Sequence, residues 1–329
     1  MVSPTGPPTK WNMMPEPSTT LSLIIPAYDE REGAHEIVDF YREIRAAHPD
    51  LQIELVVVDD GSTDGTSEAV MAALERGDDA VVVELSRNFG SHAAISAGLA
   101  ACRGDAALTL SADRQEPLEA VAAFVEAWRG GGEIVWGLRS TRASKGGFNE
   151  LFAKTFSSVF NRASIVPTYP KEGPSHILVT RPVIDTLTAM PEANRNVLAM
   201  AAWTGFDQRR IFFEQLPRPH GTSKWTSAKK LKLVIDSFVE FSSAPVRWLQ
   251  VAGAATALLG LLLLLVAAVV ALVQAPAGAF AWLVSGLILL VGGAQLGALG
   301  VIGEYVWRAG DDARRRPVYV VRAAHRPGR

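Results

Sequence analysis

The sequence predicts an α/β domain built on a parallel sheet, followed by an amphipathic segment and a hairpin of two long apolar helices. Three observations carry this expectation. Short β-branched runs alternate with stretches of helical spacing between residues 21 and 137. Polar clusters rich in aspartate follow the first, second and fourth of these runs. Residues 248–273 and 277–306 are long and nearly free of charge.

The elements follow in order. Residues 1–20 are rich in Pro, Ser and Thr and lack an apolar core, so they are expected to form a disordered tail. Residues 21–25 (LSLII) and 53–58 (IELVVV) read as strands buried on both faces. Between them, residues 32–47 place Ile37, Phe40, Tyr41 and Ile44 at helical spacing. A helix at 66–74, a strand at 80–85 and a helix at 92–101 come next. They are followed by a strand at 106–110, a helix at 118–128 and a strand at 133–137. Ligands on such a sheet bind beyond the carboxyl ends of the strands.

The chain of 329 residues has room for one sizeable domain plus the hairpin. Its net charge of −2 and pI near 6.3 give no basic field, so no nucleic-acid partner is expected. The single cysteine, Cys102, excludes an internal disulfide, fits a reducing compartment and reads as a small buried hydrophobe.

A helix rises about 1.5 Å per residue, so each apolar stretch is long enough for a hydrocarbon core roughly 30 Å thick. Lys224, Lys229, Lys230, Lys232 and Arg247 precede the first stretch, and Arg308, Arg314, Arg315, Arg316 and Arg322 follow the second. Cationic flanks stay on the cytoplasmic side. The expectation is an integral protein of the plasma membrane with two spans, its catalytic domain and both termini being cytoplasmic. Residues 229–247, with Leu231, Val234, Ile235, Phe238 and Phe241, read as an interfacial juxtamembrane helix, and 307–329 as a basic tail. Glycines 253, 286, 292, 293, 297 and 300 would allow close helix packing, compatible with a homo-oligomer.

The polar clusters carry the chemistry. Pro26-Ala27-Tyr28-Asp29-Glu30 follows the first strand, and Asp59-Asp60-Gly61-Ser62-Thr63-Asp64-Gly65-Thr66 the second. Asp64 suits a cap for the helix at Thr66. Paired Asp59 and Asp60 at a strand end repel each other, which points to a ligand or cation. Ser111-Ala112-Asp113-Arg114-Gln115-Glu116-Pro117 follows the fourth strand. There Asp113 and Gln115 are spaced so that a turn can direct both side-chain oxygens to one hard cation, Mg2+ or Mn2+, together with phosphate oxygens.

These residues resemble glycosyltransferase family 2, the nucleotide-sugar enzymes of the GT-A fold. More narrowly, the chain resembles the polyprenyl-phosphate glycosyltransferases related to dolichol-phosphate mannose synthase, with a two-helix anchor. The marks are IIPAYDE (24–30), VVVDDGSTDGT (56–66), SRNFGSHAAISAGL (86–99), SADRQEP (111–117), RPHGTSKW (218–225) and GEYVWR (303–308). The resemblance implies a GT-A domain over residues 21–228 and spans over 248–306. It also implies that Pro26, Tyr28, Glu30 and Asp60 surround the nucleoside, with Asp59 adjacent. Asp113 and Gln115 match the metal-binding part of a D-x-D-x-Q element, in which Ser111 and Ala112 are further substrate-side positions. Arg218 and Lys224 match a basic pair at the donor or acceptor phosphates, and with Asp113 they are the implied catalytic residues.

The chain departs from the family pattern in three places. Ser111 stands where an aspartate is usual. Gly173-Pro174-Ser175-His176 occupies the place of a Gly-Asp-Phe-Arg run. Arg195 alone remains of a second basic pair, as a substrate contact. The implied reaction moves a sugar, with inversion, from a UDP- or GDP-linked donor to a polyprenyl phosphate. The alternative is a catalytically weak or silent relative acting as a scaffold or partner subunit.

Overall fold

The computed structural model describes residues 20–140, 168–170, 174–192, 195–216, 255–256, 262 and 277–327. Its centre is one sheet of eight strands: β1 (Thr20–Ala27), β2 (Gln52–Asp59), β3 (Ala80–Leu85), β4 (Ala106–Thr109), β5 (Ile134–Arg139), β6 (His176–Thr180), β7 (Gln208–Phe213) and β8 (Val321–His325). Their order is β7-β5-β6-β4-β1-β2-β3-β8. The first four strands are mutually parallel, with Leu23 opposite Leu55 on one side and Leu108 on the other. β6 is antiparallel to both β4 and β5, β7 runs parallel to β5, and β8 closes the far edge antiparallel to β3.

The helices are α1 (Ala34–Ala47), α2 (Thr66–Ala73), α3 (Ser91–Ala101), α4 (Leu118–Arg129), α5 (Arg181–Ala189), α6 (Val197–Trp203) and α7 (Ala277–Ala313). α1, α2 and α4 cover one face of the sheet and α3, α5 and α6 the other, because strand side chains alternate between faces. Leu21, Leu23 and Ile25 of β1 join a core with Ile37, Phe40, Tyr41 and Ile44 of α1 and with Phe124 of α4. Ile24 points the other way, into a core with Ala94 and Ala97 of α3, Ile184 of α5 and Met200 of α6. Trp136 of β5 is fully buried there, and its indole donates to Gln208 Oε1 at 2.9 Å. Burying each such side chain contributes on the order of 2 kcal/mol. Cys102 is a buried free thiol, as expected, and burial pushes its pKa up.

The expected second span is part of α7, and that helix does not end at Val306 but continues to Ala313. Glycines, Ser285 and Gln295 dilute its apolar run, and the helix carries on through Arg308, Asp311 and Asp312. Among the described residues no helix is long and apolar enough to cross a membrane. This overturns the expected placement as an integral plasma-membrane protein with two spans and cytoplasmic termini. A Cβ at Gly292, Gly293, Gly297 or Gly300 would meet no atom within 4 Å, so no described element packs against these glycines. The expected juxtamembrane segment, 229–247, lies outside the described residues. So do the expected tail, save Thr20, and the expected first span, save 255–256 and 262. Within the segment read as a basic tail, residues 321–325 form β8, a strand of the main sheet.

Candidate active site

The switch point of the sheet lies at β1, where the chain order runs to β2 on one side and β4 on the other. The three turns leaving β1, β2 and β4 at their carboxyl ends form the candidate site. Pro26 sits beyond the last β1–β4 pair, Ile24 with Thr109, where a missing N–H costs the ladder nothing.

The turns after β1 and β2 are laced together. The amide of Asp29 donates to Ser62 Oγ at 2.9 Å, and the amide of Thr63 donates to Asp29 Oδ1 at 3.0 Å. The amide of Glu30 reaches Thr66 Oγ1 at 2.9 Å, and that of Arg31 reaches Asp64 Oδ2 at 3.1 Å. This reciprocal bonding holds Asp29 in the left-handed region, at φ 50, a conformation that costs a non-glycine residue about 1–3 kcal/mol. Asp64 also accepts from the amide and hydroxyl of Thr66, but it stands one residue ahead of the expected capping position, which left-handed Gly65 occupies. Burial works against its charge, yet these hydrogen bonds hold the Asp64 carboxyl below the usual carboxylate range.

The paired aspartates are buried, each 5 % exposed. Asp59 Oδ1 accepts from the amide of Ser62 at 2.8 Å. Asp60 accepts from two successive amides of the β3–α3 loop, Phe89 to Oδ1 at 2.7 Å and Gly90 to Oδ2 at 2.8 Å. Desolvation nonetheless pushes the Asp60 pKa up, with Asp59 adding to the effect. Gly61 (φ 72) follows at once, and a Cβ there would lie 2.3 Å from the backbone carbonyl carbon of Arg87. The Asp-Asp-Gly run thus has a backbone function that repulsion alone did not reveal: it seats the loop Arg87–Gly90 against the end of β2.

The turn after β4 carries Asp113 and Gln115. Their side chains meet, Gln115 Nε2 against Asp113 Oδ2, and Gln215 Nε2 meets Gln115 Oε1 in turn. The amide of Leu216 donates to the Gln115 carbonyl at 2.9 Å, so the segment after β7 braces this turn. Arg114 between them is left-handed at φ 48, with its guanidinium paired to Glu43 and 5.1 Å over the Phe40 ring. Among the described residues no group of three or more His, Cys, Asp or Glu could hold an ion alone. The Gln115 amide presents its nitrogen to Asp113 and its oxygen to Gln215, so the two side chains would share one Mg2+ or Mn2+, with phosphate oxygens and water in the remaining positions, only after the Gln115 amide turns over.

A third group was not foreseen as a unit. Glu116 is 1 % exposed and lies between Ser111 and His176. It accepts from the Ser111 amide at 3.2 Å and the Ser111 hydroxyl at 2.7 Å, and its Oε1 is 2.5 Å from His176 Nε2. Burial opposes its charge, but His176 and Ser111 hold the Glu116 carboxyl below the usual range.

The structure therefore brings Pro26, Tyr28, Glu30, Asp59, Asp60, Ser111, Ala112, Asp113 and Gln115 to one end of the sheet. Arg195 is occupied elsewhere: its guanidinium donates to the carbonyls of Met190 and Glu192 in the α5–α6 connection, and burial lowers its pKa. Arg218 and Lys224 lie outside the described residues.

Comparison with known proteins agrees with this architecture. Residues 22–177 match the model of "Glycosyl transferase family 2". An uncharacterized glycosyltransferase of Synechocystis is 32% identical over 305 residues, covering 92% of this chain and 94% of that protein. The chain belongs to glycosyl transferase family 2. It is a glycosyltransferase. A bactoprenol glucosyl transferase of a Shigella flexneri prophage is 30% identical, covering 93% of this chain and 98% of the relative. An undecaprenyl-phosphate 4-deoxy-4-formamido-L-arabinose transferase of Pseudomonas fluorescens is 31% identical, covering 94% and 91%. Family 2 membership agrees with the parallel β1–β4 core and with acidic turns at its carboxyl ends.

Proposed function

We propose that this family 2 enzyme transfers a sugar from a nucleotide-sugar donor to a polyprenyl phosphate. The observation that carries the reading is the seating of Asp59 and Asp60 beside an Asp113–Gln115 pair across a single strand. Adjacent strands lie about 4.8 Å apart, so the ends of β2 and β4 are separated by roughly 10 Å, a gap that a nucleoside diphosphate bridges. The acceptor follows from full-length relatives whose names specify bactoprenol and undecaprenyl phosphate.

In this reading Pro26, Tyr28, Glu30, Asp59 and Asp60 surround the nucleoside, and Ser111 and Ala112 line the donor side of the β4 turn. Asp113 and Gln115 would hold Mg2+ or Mn2+, which when bound neutralises charge on the departing diphosphate. Arg218 and Lys224 would meet phosphate oxygens. The acceptor is a phosphate monoester and already anionic near neutral pH. The chain's residues therefore need to orient it rather than deprotonate it, and a direct displacement inverts the anomeric centre.

The test is turnover of a panel of UDP- and GDP-sugars by the full chain, with a short polyprenyl phosphate and Mn2+. A glycosyl polyprenyl phosphate of inverted configuration is expected with one donor class. Asp113→Ala should lower kcat by about 100-fold or more, the scale of losing a charge-stabilising contact, and abolish any metal-dependent thermal shift. Ser111→Ala should do far less. Full activity in Asp113→Ala would overturn the metal assignment, and absence of transfer to polyprenyl phosphate from every donor would overturn the acceptor.

A further inference from the structure

Two hydrogen bonds tie the turn after β4 to the segment that leaves β7. β7 reaches this end of the sheet because it runs parallel to β5, and β5 and β4 are both antiparallel to β6. Two residues past its end, Gln215 donates through Nε2 to Gln115 Oε1, and Gln115 Nε2 donates in turn to Asp113 Oδ2. The amide of Leu216 donates to the Gln115 carbonyl at 2.9 Å, a backbone bond that stays whichever way the side chains face. Gln115 is 7 % exposed, so both ends of its side-chain amide need partners. A cation shared with Asp113 needs the Gln115 oxygen where its nitrogen now lies. Turning that amide alone would set its NH2 against the NH2 of Gln215, two donors with no acceptor between them. Turning both amides restores the bond in reverse, with Gln215 Oε1 accepting from Gln115 Nε2.

We propose that Gln215 is a positioning residue for the cation: its amide turns together with that of Gln115 and then holds the Gln115 oxygen towards Asp113. A primary amide suits this task because it donates on one side and accepts on the other. Gln215 can therefore pair with Gln115 in either orientation, and the ligand is never left without a partner. Gln215 acts through Gln115 and leaves the cation to that amide, to Asp113 and to phosphate oxygens. The inference rests on the reading of Asp113 and Gln115 as metal-binding and adds the residue that sets the direction of the amide.

The experiment is Mn2+ titration of the full-length protein followed by electron paramagnetic resonance, with Mn2+ alone and with Mn2+ plus UDP or GDP. Wild type, Gln215→Met, Gln115→Ala and the double variant are compared, methionine keeping the length of the side chain without its amide. Gln215→Met should weaken Mn2+ binding by about tenfold, the range seen when a group supporting a metal ligand is removed. In the Gln115→Ala background, with nucleotide present to supply phosphate oxygens, the same substitution should change the affinity by less than about twofold, because the residue acts only through that amide. A loss of equal size in both backgrounds, which a general structural role predicts, would overturn the proposal. So would wild-type or tighter binding in Gln215→Met. Gln215→Glu keeps an acceptor towards Gln115 and should retain at least wild-type affinity, which reads the proposal if Gln215→Met folds poorly; a loss as large as that of Gln215→Met would overturn it. Failure of the wild type to take up Mn2+ under either condition would instead remove the metal reading beneath it.

Discussion

Asp78 illustrates how single carboxylates pin this fold away from the site. Its side chain is 3 % exposed and accepts from Arg42 at 2.8 Å and from the amide of Glu75 at 3.0 Å, with Arg45 at 3.4 Å. Burial works against its charge, but Arg42 and the Glu75 amide outweigh it and leave its pKa below the usual carboxylate value. A depressed folded pKa means stabilisation that is complete above the unfolded value of about 3.9 and fades as pH falls through the folded one. Asp78→Asn should therefore lose about 1.5 kcal/mol at neutral pH, the low end for a charged hydrogen bond because Arg42 is partly exposed. Thermal melts should show that gap steady from pH 7 to 5 and closing below about pH 4. A gap that stayed constant down to pH 2 would refute the assignment. At the site, Asp113 and Gln115 were legible in the sequence because spacing on one short turn forces them together. Glu116 was not, since its meaning depends on His176, which lies sixty positions away and reaches it only through the pairing of β4 with β6.

At the scale of elements, β8 has the clearest consequence. It covers the outer edge of β3, a strand whose sequence AVVVEL would otherwise offer unpaired backbone groups to another chain. The cover extends to the site side: the Ser86 amide donates to the Val320 carbonyl at 2.8 Å, and Arg322 donates to the Ser86 carbonyl at 2.9 Å. Ser86 leads into the loop that Asp60 holds. A chain ending at Arg316 should thus melt at lower temperature and scatter light in a concentration-dependent way, with faster proteolysis between residues 86 and 90. Unchanged melting and a clear solution would show that the edge needs no cover. Local pattern made β1 to β5 and α1 to α4 legible, because continuous β-branched runs and helical spacing are properties of neighbours in sequence. β7 (QRRIFF) and β8 (VRAAH) are polar edge strands whose partners are distant in the chain, so no local signal marks them. α7 misled for the opposite reason. Its apolar composition was visible, but its continuation beyond Val306 into charged residues became apparent only in the structure.

The whole molecule divides its labour between the two ends of the sheet. The carboxyl ends of β1, β2 and β4 carry the acidic turns, while the amino ends are tied by a separate buried group around Glu54. Glu54 has no exposure and accepts from Ser22 Oγ at 2.6 Å, from the Arg103 amide at 2.8 Å and from Arg103 Nε at 2.8 Å. Ser22 Oγ in turn accepts from the amide of Gly104 at 2.9 Å, and Arg103 also pairs with Asp79. One carboxylate thus joins β1, β2 and the turn entering β4, the same three strands whose opposite ends form the site. Glu54→Gln keeps the shape but loses the charge facing Arg103, and should cost about 1.5–3 kcal/mol. In a domain of this size that lowers Tm by roughly 2–4 °C for each kcal/mol. Because the length of β2 separates Glu54 from Asp59 and Asp60, kcat and the donor KM measured well below the new Tm should stay within about twofold of wild type. The Mn2+ affinity should be equally unmoved. If Glu54→Gln instead reduced kcat in proportion to its loss of stability, the two ends would be mechanically coupled through β1 and β2, and the sheet could not be regarded as a rigid spacer between a structural clamp and a chemical one.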